Sequence, residues 1–321
     1  MKKSIRIHYV DFWEHFSPES FFLHRIMSDN YTVLKDSENP EFLICSSFGN
    51  AHLSYDCLKL YYTGENIPPD FNVYDYAIGF DEIFFADRYI RVPLYRLYIR
   101  DGLHEICPDT LRLASPQKKF CNFCYSNSQA EPVREYFFRM LTQYKRVDSG
   151  GKFLNNIGFC VKDKITWQRD YKFSIAFENS SKPGYTTEKI LDACYAHTIP
   201  IYWGNPEIAK DFNVKRIINC HEYSSFAEVI EQIIEIDNDS NKYESIISQP
   251  WFPEGKQPSQ IANDPVIISF LRNIIEQSPE KARRTVKYGM TRHIYDMCAQ
   301  RERAAGSLFF RLAQKLQRIF S

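Results

Sequence analysis

Residues 173–204 constrain the fold of this chain more than any other stretch. Phe173 to Phe177 is a short apolar run of the kind that forms a buried strand. Glu178 to Gly184 is polar and contains Lys-Pro-Gly, which is turn chemistry. Thr186 or Thr187 can cap a helix whose Ile190, Leu191 and Cys194 recur at helical spacing. Thr198-Ile-Pro-Ile-Tyr-Trp then opens a second β-rich run ending at Gly204. Strand, loop, helix and strand within about 30 residues make a βαβ unit, the building block of a parallel sheet. Open parallel sheets bind ligands at the carboxyl ends of their strands, and a helix start there favours phosphate. Tyr185, Glu188 and Lys189 sit at that helix start, directly after Glu178-Asn179.

The chain has 321 residues, which suits two domains better than one core. Upstream, strands are expected at Ile5–Val10, Tyr31–Leu34, Phe42–Cys45, Leu58–Tyr62 and Tyr76–Phe80, with a helix starting at Ser17-Pro18 and running to Ser28. This alternation reads as a first α/β domain over 1–117. Arg100 to Lys119 lacks periodicity and reads as a linker. A strand at Lys119–Tyr125, an amphipathic helix at Pro132–Tyr144, a turn-rich loop at Arg146–Lys152, a strand at Arg216–Cys220 and helices at Phe226–Ile236, near Tyr243–Ser248 and at Asp264–Gln277 follow. They define a second α/β domain over 118–290, with a helical tail over 291–321. In that tail Leu308, Leu312, Lys315 and Ile319 alternate with Arg311, Gln314 and Arg318, a short cationic amphipathic helix suited to packing on protein or to peripheral contact with an anionic membrane.

Composition narrows the function classes. Forty basic and forty acidic residues cancel, so no global field favours nucleic acid. Nine scattered cysteines suit buried reduced thiols in a cytoplasmic protein, and the first residues go straight into a strand without a signal-peptide core. Cys121-Asn-Phe-Cys124 has CxxC spacing but no second ligand pair, and lies in a β-like run, so it reads as structural. Asp237-Asn-Asp239 has the Asp-x-Asp spacing of metal-dependent sugar transferases, yet no apolar strand precedes it and it reads as a solvated turn. His197, between helix and strand, reads as a capping or satisfied histidine. The helix-start cluster remains, with Arg134 on a neighbouring helix as a second cation; by residue type it is a nucleotide or phosphosugar pocket, or else surface charge.

Phe177-Glu-Asn-Ser-(x)3-Gly-Tyr-x-Thr-Glu-Lys-Ile-Leu-Asp-Ala, followed by Thr198-Ile-Pro-Ile-Tyr-Trp-Gly-(x)5-Lys-Asp-Phe-Asn213, closely resembles the donor-binding signature of the α-1,3/4-fucosyltransferases, especially the bacterial branch. Tyr62-Thr-Gly-Glu-Asn66, Phe71 to Glu82 with Asp87-Arg-Tyr89 and Pro93-Leu-Tyr95, Phe120 to Asn127 with Arg134, and Val147-Asp-Ser-Gly-Gly151 match in the same order. The resemblance implies a GT-B fold, two Rossmann-like domains facing each other across a cleft. It implies transfer of L-fucose, with inversion, from GDP-β-L-fucose to N-acetylglucosamine in a lactosamine-type glycan, as in lipopolysaccharide or other glycan biosynthesis. It implies no cofactor and no essential divalent metal. The family's base matches Glu65, with Glu82 as runner-up and Asp81 beside it on the acceptor side; Arg134 and Lys189 match the diphosphate contacts, and Tyr185, Glu188 and Asn179 the nucleotide and sugar contacts. Linkage to the 4-hydroxyl or dual 1,3/1,4 specificity, a GT-B transferase using another nucleotide sugar, and a non-catalytic glycan- or nucleotide-binding module are the competing readings. The chain lacks the leucine-rich heptad repeats that many bacterial relatives carry.

Overall fold

Parallel ladders organise both halves of the protein. The structure is a computed structural model that describes residues 2–99, 118–254 and 258–286, with scattered positions from 289 to 306. Residues 100–117 of the expected linker and the basic segment 307–321 lie outside the described residues. The chain divides into two compact units, one comprising residues up to Gly79, Phe84–Ile90 and the residues from Val266 onward, the other Phe80–Ile83 and Arg91–Pro265.

In the first unit β1 (Ser4–Val10), β2 (Thr32–Lys35), β3 (Phe42–Cys45), β4 (Leu58–Tyr62), β5 (Tyr76–Gly79) and β6 (Tyr89–Arg91) form a sheet of order β2-β1-β3-β4-β5-β6. β1 through β5 pair in parallel, with Val10 opposite Cys45 and Cys45 opposite Tyr61. Between β1 and β2 the chain makes a short 3₁₀ turn at Pro18–Ser20 and then helix α1 (Phe22–Asn30), which buries Phe22, Leu23, Ile26 and Met27. The Ser17-Pro18 signal therefore starts a turn, and the helix proper begins only where the apolar face can reach the sheet.

The second unit has β7 (Lys119–Phe123), β8 (Val147–Ser149), β9 (Tyr171–Phe177), β10 (Ile199–Trp203) and β11 (Ile218–Asn219), in the order β11-β10-β9-β7-β8 and parallel throughout. Its helices are α2 (Val133–Tyr144), α3 (Lys164–Gln168), α4 (Glu188–Tyr195), α5 (Phe226–Asn238) and α6 (Ser240–Ile247). β9 is buried along nearly its whole length on both faces, as strands inside a parallel sheet are: Tyr171, Phe173, Ile175 and Phe177 form an apolar face, and Lys172, Ser174 and Ala176 the other. β10 carries Pro200 inside the sheet; its neighbour β11 joins only from Ile201 onward, so the missing amide interrupts no pair on that side. Cys121 lies buried on β7, where burial holds its thiol well above the ordinary range, as expected for a structural cysteine.

Two expectations are corrected. Helix α7 (Pro265–Glu276) and the turn α8 (Pro279–Ala282) belong with the first sheet, whereas periodicity placed them in the second domain. Tyr31 donates to Glu276 at 2.9 Å, Lys3 to the Ile275 carbonyl at 2.7 Å and Tyr76 to the Ala282 carbonyl at 2.8 Å. Periodicity shows that a helix has an apolar face but not which sheet the face covers. Asp237 is no solvated turn: it is buried in the last turn of α5, paired with Lys145 at 2.9 Å and Lys172 at 2.8 Å, and so ties α2 and β9 to that helix. Asp239 caps α6, accepting from the amides of Asn241 and Lys242. No helix among the described residues is long and apolar enough to cross a membrane.

His197 joins α4 to β10 with φ at +53°, and its carbonyl accepts from Lys118 at 2.8 Å. Burial, then Arg216 and Lys118, lower its pKa to about 4. In the unfolded chain the ring titrates near 6.5, so between these values the unfolded state binds more protons. This contribution to stability is present above about pH 6.5 and is lost as pH falls toward 4. His197→Asn, which tolerates the left-handed backbone, should lose stability less steeply than wild type across that window. Thermal midpoints measured from pH 7 to pH 4 check this; a difference from wild type that stays constant with pH would sink it.

Candidate active site

The strand order β2-β1-β3 in the first sheet, and its counterpart β8-β7-β9 in the second, reverses the sense in which the chain moves across the sheet, and the carboxyl ends at such a switch point are where open α/β sheets bind ligands. In the second unit that point lies between β7 and β9. Beyond β7 stands Tyr125, whose hydroxyl is tied to the β9 backbone: it donates to the Ile175 carbonyl at 2.8 Å and accepts from the Phe177 amide at 2.7 Å. Beyond β9 stand Glu178 and Asn179.

Arg134, in the first turn of α2, is brought over the Tyr125 ring, 4.1 Å from its centroid. Its Nη2 donates to Asn179 Oδ1 at 2.7 Å and more distantly to the Phe177 carbonyl. The residue is 2% exposed, its Nε has no partner, and no carboxylate lies within ion-pair distance of it among the described residues. A buried cation without a counter-ion is costly unless a ligand supplies the negative charge.

Glu178 is fully buried and organises the opposite wall. One oxygen accepts from the Thr187 amide at 2.7 Å; the other accepts from the Thr187 hydroxyl at 2.7 Å and from Lys189 Nζ at 3.0 Å. Lys189 also donates to the Thr187 hydroxyl at 2.8 Å. The expected cap is thus inverted: Thr187 occupies the N-cap, but its hydroxyl serves Glu178 and not the helix. Burial acts to lower the Lys189 pKa; Glu178 and Glu188 outweigh it and raise it. Burial acts against ionised Glu188 too, but Lys189 and Lys164 prevail and its pKa is lowered. Both side chains are therefore charged at neutral pH.

Tyr185 is held by its loop. Gly184 has φ at +81°, and a Cβ there would lie 2.2 Å from the Phe80 carbonyl oxygen, so the turn requires glycine. The Tyr185 ring meets Phe80 edge-on at 5.1 Å. Arg91, at the end of β6, fastens this loop: Nη1 and Nη2 grip both oxygens of Asp211 at 2.8 and 2.6 Å, Nη2 reaches the Gly184 carbonyl at 3.3 Å, and Nε donates to the Phe80 carbonyl at 3.0 Å. Asn205 receives the Gly184 amide at 2.9 Å and donates to the Thr186 hydroxyl at 3.1 Å.

The structure brings together Arg134 with Asn179, and Lys189 with Glu188, through Tyr125 and Glu178. Asp81 and Glu82, the acceptor-side candidates, group with the second unit, beside the Tyr185 loop. Asp81 pairs with Lys182 at 2.8 Å, and Glu82 is shared between Arg91 at 2.9 Å and Lys210 at 3.6 Å. Glu65 lies in the first unit just past the carboxyl end of β4, exposed, with its amide on the Thr63 hydroxyl at 3.0 Å. Sequence reasoning did not count Glu178, Arg91 and Asp211 as site residues. Glu178 carried a signal, being the first polar residue after a buried strand, and Asp211 stands within the Lys-Asp-Phe-Asn213 signature; Arg91, 120 residues from Asp211, carried none.

Arg91→Lys keeps the charge but not the two-pronged grip. Losing charge-assisted hydrogen bonds should loosen residues 184–187, with the Gly184 amide exchanging its hydrogen about tenfold faster or more while the β9 amides keep their protection. Exchange followed by mass spectrometry or NMR checks this, and unchanged Gly184 exchange in the variant rules the clamp out.

Comparison with known proteins agrees with this geometry. The model of the α-(1,3)-fucosyltransferase FucT N-terminal domain matches residues 7–98, and that of the glycosyltransferase family 10 (fucosyltransferase) C-terminal region matches residues 114–251. The α-(1,3)-fucosyltransferase FucT of Helicobacter pylori is 37% identical over 259 residues, 69% of this chain and 54% of that protein. The matched region thus spans about half of that curated relative. Among solved structures, an α-1,3-fucosyltransferase is 32% identical with a TM-score of 0.76, covering 86% of this chain and 91% of that one. An α-1,3-fucosyltransferase with GDP-fucose is 31% identical with a TM-score of 0.74, covering 87% and 92%. Two parallel α/β units in this order are the GT-B fold, and the chain belongs to the glycosyltransferase family 10 fucosyltransferases.

Proposed function

We propose that this chain is an inverting α-1,3-fucosyltransferase. It transfers L-fucose from GDP-β-L-fucose to the 3-hydroxyl of N-acetylglucosamine in lactosamine-type acceptors, giving a Lewis x-type product. The observation that carries the donor assignment is Arg134, a buried guanidinium at the switch point with no carboxylate beside it among the described residues. A nucleoside diphosphate supplies the missing negative charge. GDP-fucose is present in one of the family structures this chain resembles.

Arg134 and Lys189 take the diphosphate and stabilise it as the glycosidic bond breaks, which is where negative charge grows in the transition state. Lys189 has three N–H donors; Glu178 and Thr187 hold two and leave one for a phosphate oxygen. Ionised Glu188 accepts from hydroxyls of the ribose or the fucose, Asn179 fixes the Arg134 fork, and Tyr185 packs against the nucleotide sugar. Glu65 takes the proton of the acceptor hydroxyl, whose oxygen attacks C1 of fucose from the face opposite GDP. The C–O bond to phosphate breaks, GDP leaves with the electron pair, and the β-linked donor becomes an α-linked product. With two protein cations on the leaving group, this route uses no divalent metal and no cofactor.

Glu65→Ala should lower kcat roughly 10²- to 10⁴-fold while GDP affinity, read by calorimetry, is kept. Activity within tenfold of wild type counts against Glu65 as base. The reading as a whole is tested by incubating the protein with GDP-fucose and either type 1 or type 2 lactosamine and determining the product linkage by NMR. A 3-linked product on type 2 acceptor is expected. A 4-linked product corrects the regiochemistry, turnover only with another nucleotide sugar corrects the donor, and binding without turnover leaves a glycan-binding module in place of an enzyme.

A further inference from the structure

The loops beyond β1 and β3 leave two large aromatic side chains in solvent. Trp13 is 44% exposed and Phe48 50% exposed, and their rings meet edge-to-face at 6.1 Å. Their placement follows from the register. Val10, Cys45 and Tyr61 lie opposite one another across β1, β3 and β4. Trp13 is three residues past Val10, Phe48 three past Cys45 and Glu65 four past Tyr61, so all three emerge at the same edge of the first sheet. That edge includes the switch point between β1 and β3.

The platform is built, not incidental. Asp11 adopts φ of +62° and His15 φ of +64°, a strained conformation that persists only where surroundings hold it. The Asp11 carboxylate accepts from the amides of Ala51 and His52 and from His52 Nδ1 at 2.6 Å, and its carbonyl accepts from the Phe48 amide at 2.9 Å. A Cβ on Gly49 would lie 2.4 Å from the Asp11 carboxylate, so glycine alone permits this closure. Tyr74 completes the brace through His52 Nε2 at 3.2 Å. Beneath the exposed rings an aromatic chain runs from Trp13 to Phe16 at 5.1 Å, on to Phe21 at 5.4 Å and to Tyr62 at 5.1 Å. Tyr62 ends β4, the strand that delivers Glu65.

We propose that Trp13 and Phe48 form the subsite for the galactosyl residue attached to the accepting N-acetylglucosamine, an inference that rests on the acceptor reading above. Galactose, with its axial 4-hydroxyl, presents one face of C–H groups that carry partial positive charge. An aromatic face carries the complementary negative quadrupole and a large apolar area. From β4 to β1 is two strand spacings, ~10 Å, the reach of two linked pyranoses, so a disaccharide with its accepting hydroxyl at Glu65 extends its second ring toward Trp13. The clamped loops hold the rings in place before the sugar arrives, which reduces the ordering cost of binding.

Trp13→Ala should raise KM for N-acetyllactosamine about tenfold, leave KM for free N-acetylglucosamine and for GDP-fucose within twofold, and so collapse the preference for disaccharide over monosaccharide. Trp13→Phe should recover most of that preference, and Phe48→Ala should lose part of it. A second readout needs no turnover: saturation-transfer NMR on wild type with N-acetyllactosamine alone should mark H3, H4 and H5 of galactose most strongly, and Trp13→Ala should abolish this. A protein that transfers no fucose yet shows these signals keeps the subsite and loses the enzyme assignment. Wild type without preferential saturation of galactose, or a Trp13→Ala variant that penalises both acceptors equally, overturns the proposal.

Discussion

Glu178 is the interaction on which the donor side depends. Its carboxylate is fully buried and has three donors, the Thr187 amide, the Thr187 hydroxyl and Lys189. Burying a carboxylate is tolerable only with such satisfaction. The consequence is geometric: β9 and the start of α4 are locked to each other at the strand's carboxyl end, and Lys189 is held charged in one position. Glu188, next on the helix, is kept ionised by the same lysine. One buried acid thus orients a cation and, through it, a second acid. Removing Glu178 would leave Lys189 with only the weaker hold of Thr187 and Glu188.

The two sides of the donor site answer different demands. Around Lys189 the buried cation has carboxylate partners within the protein, so that wall is stable without ligand. Around Arg134 they are not: the guanidinium has an amide oxygen, backbone carbonyls and a ring face, but no carboxylate among the described residues. Stability favours pairing every buried charge, and a site for an anion needs one left unpaired. The division places the uncompensated charge on a helix braced by Tyr125 and Asn179, where the cost is spread over several contacts.

Much of this was legible in the sequence because it is local. The βαβ unit at 173–204 followed from an apolar run, turn residues and helical spacing, and β9, α4 and β10 lie where those signals put them. The identity of Lys189, Glu188 and Arg134 as charges near one strand end was also accessible, because parallel topology forces helix starts and strand ends onto one edge. What was not legible depends on contacts distant in sequence. The Arg91–Asp211 clamp joins residues that no period relates, and α7 could not be assigned to its sheet from its own pattern. Val147-Asp-Ser, read as loop because Gly-Gly follows, is a three-residue edge strand paired with β7; a segment so short has no period of its own. Asp237 misled for a related reason: its polar neighbours describe the helix end after it, while its two lysine partners come from α2 and β9.

The first sheet shows how register converts such distant contacts into a site. Nothing in the local sequence links Asp11, Phe48 and Glu65, yet parallel pairing from Val10 through Cys45 to Tyr61 makes the residues just beyond each strand neighbours on one edge. A slip of one residue in any of these strands would exchange the side chains that its two faces present to their neighbours, so the packing that holds the register also holds the edge. The edge is then refined by polar contacts that only this register permits: the Ser47 and Thr63 hydroxyls meet at 3.1 Å between β3 and β4, and Asp11 bridges the loops beyond β1 and β3. Exposed Trp13 and Phe48 are then the surface of an aromatic stack whose base is Tyr62 in the core. Two rings packed on this stack by one side and held about half in solvent by a strained, braced loop present apolar surface that folding leaves unused, and that is the physical argument for reading them as a surface made for a ligand.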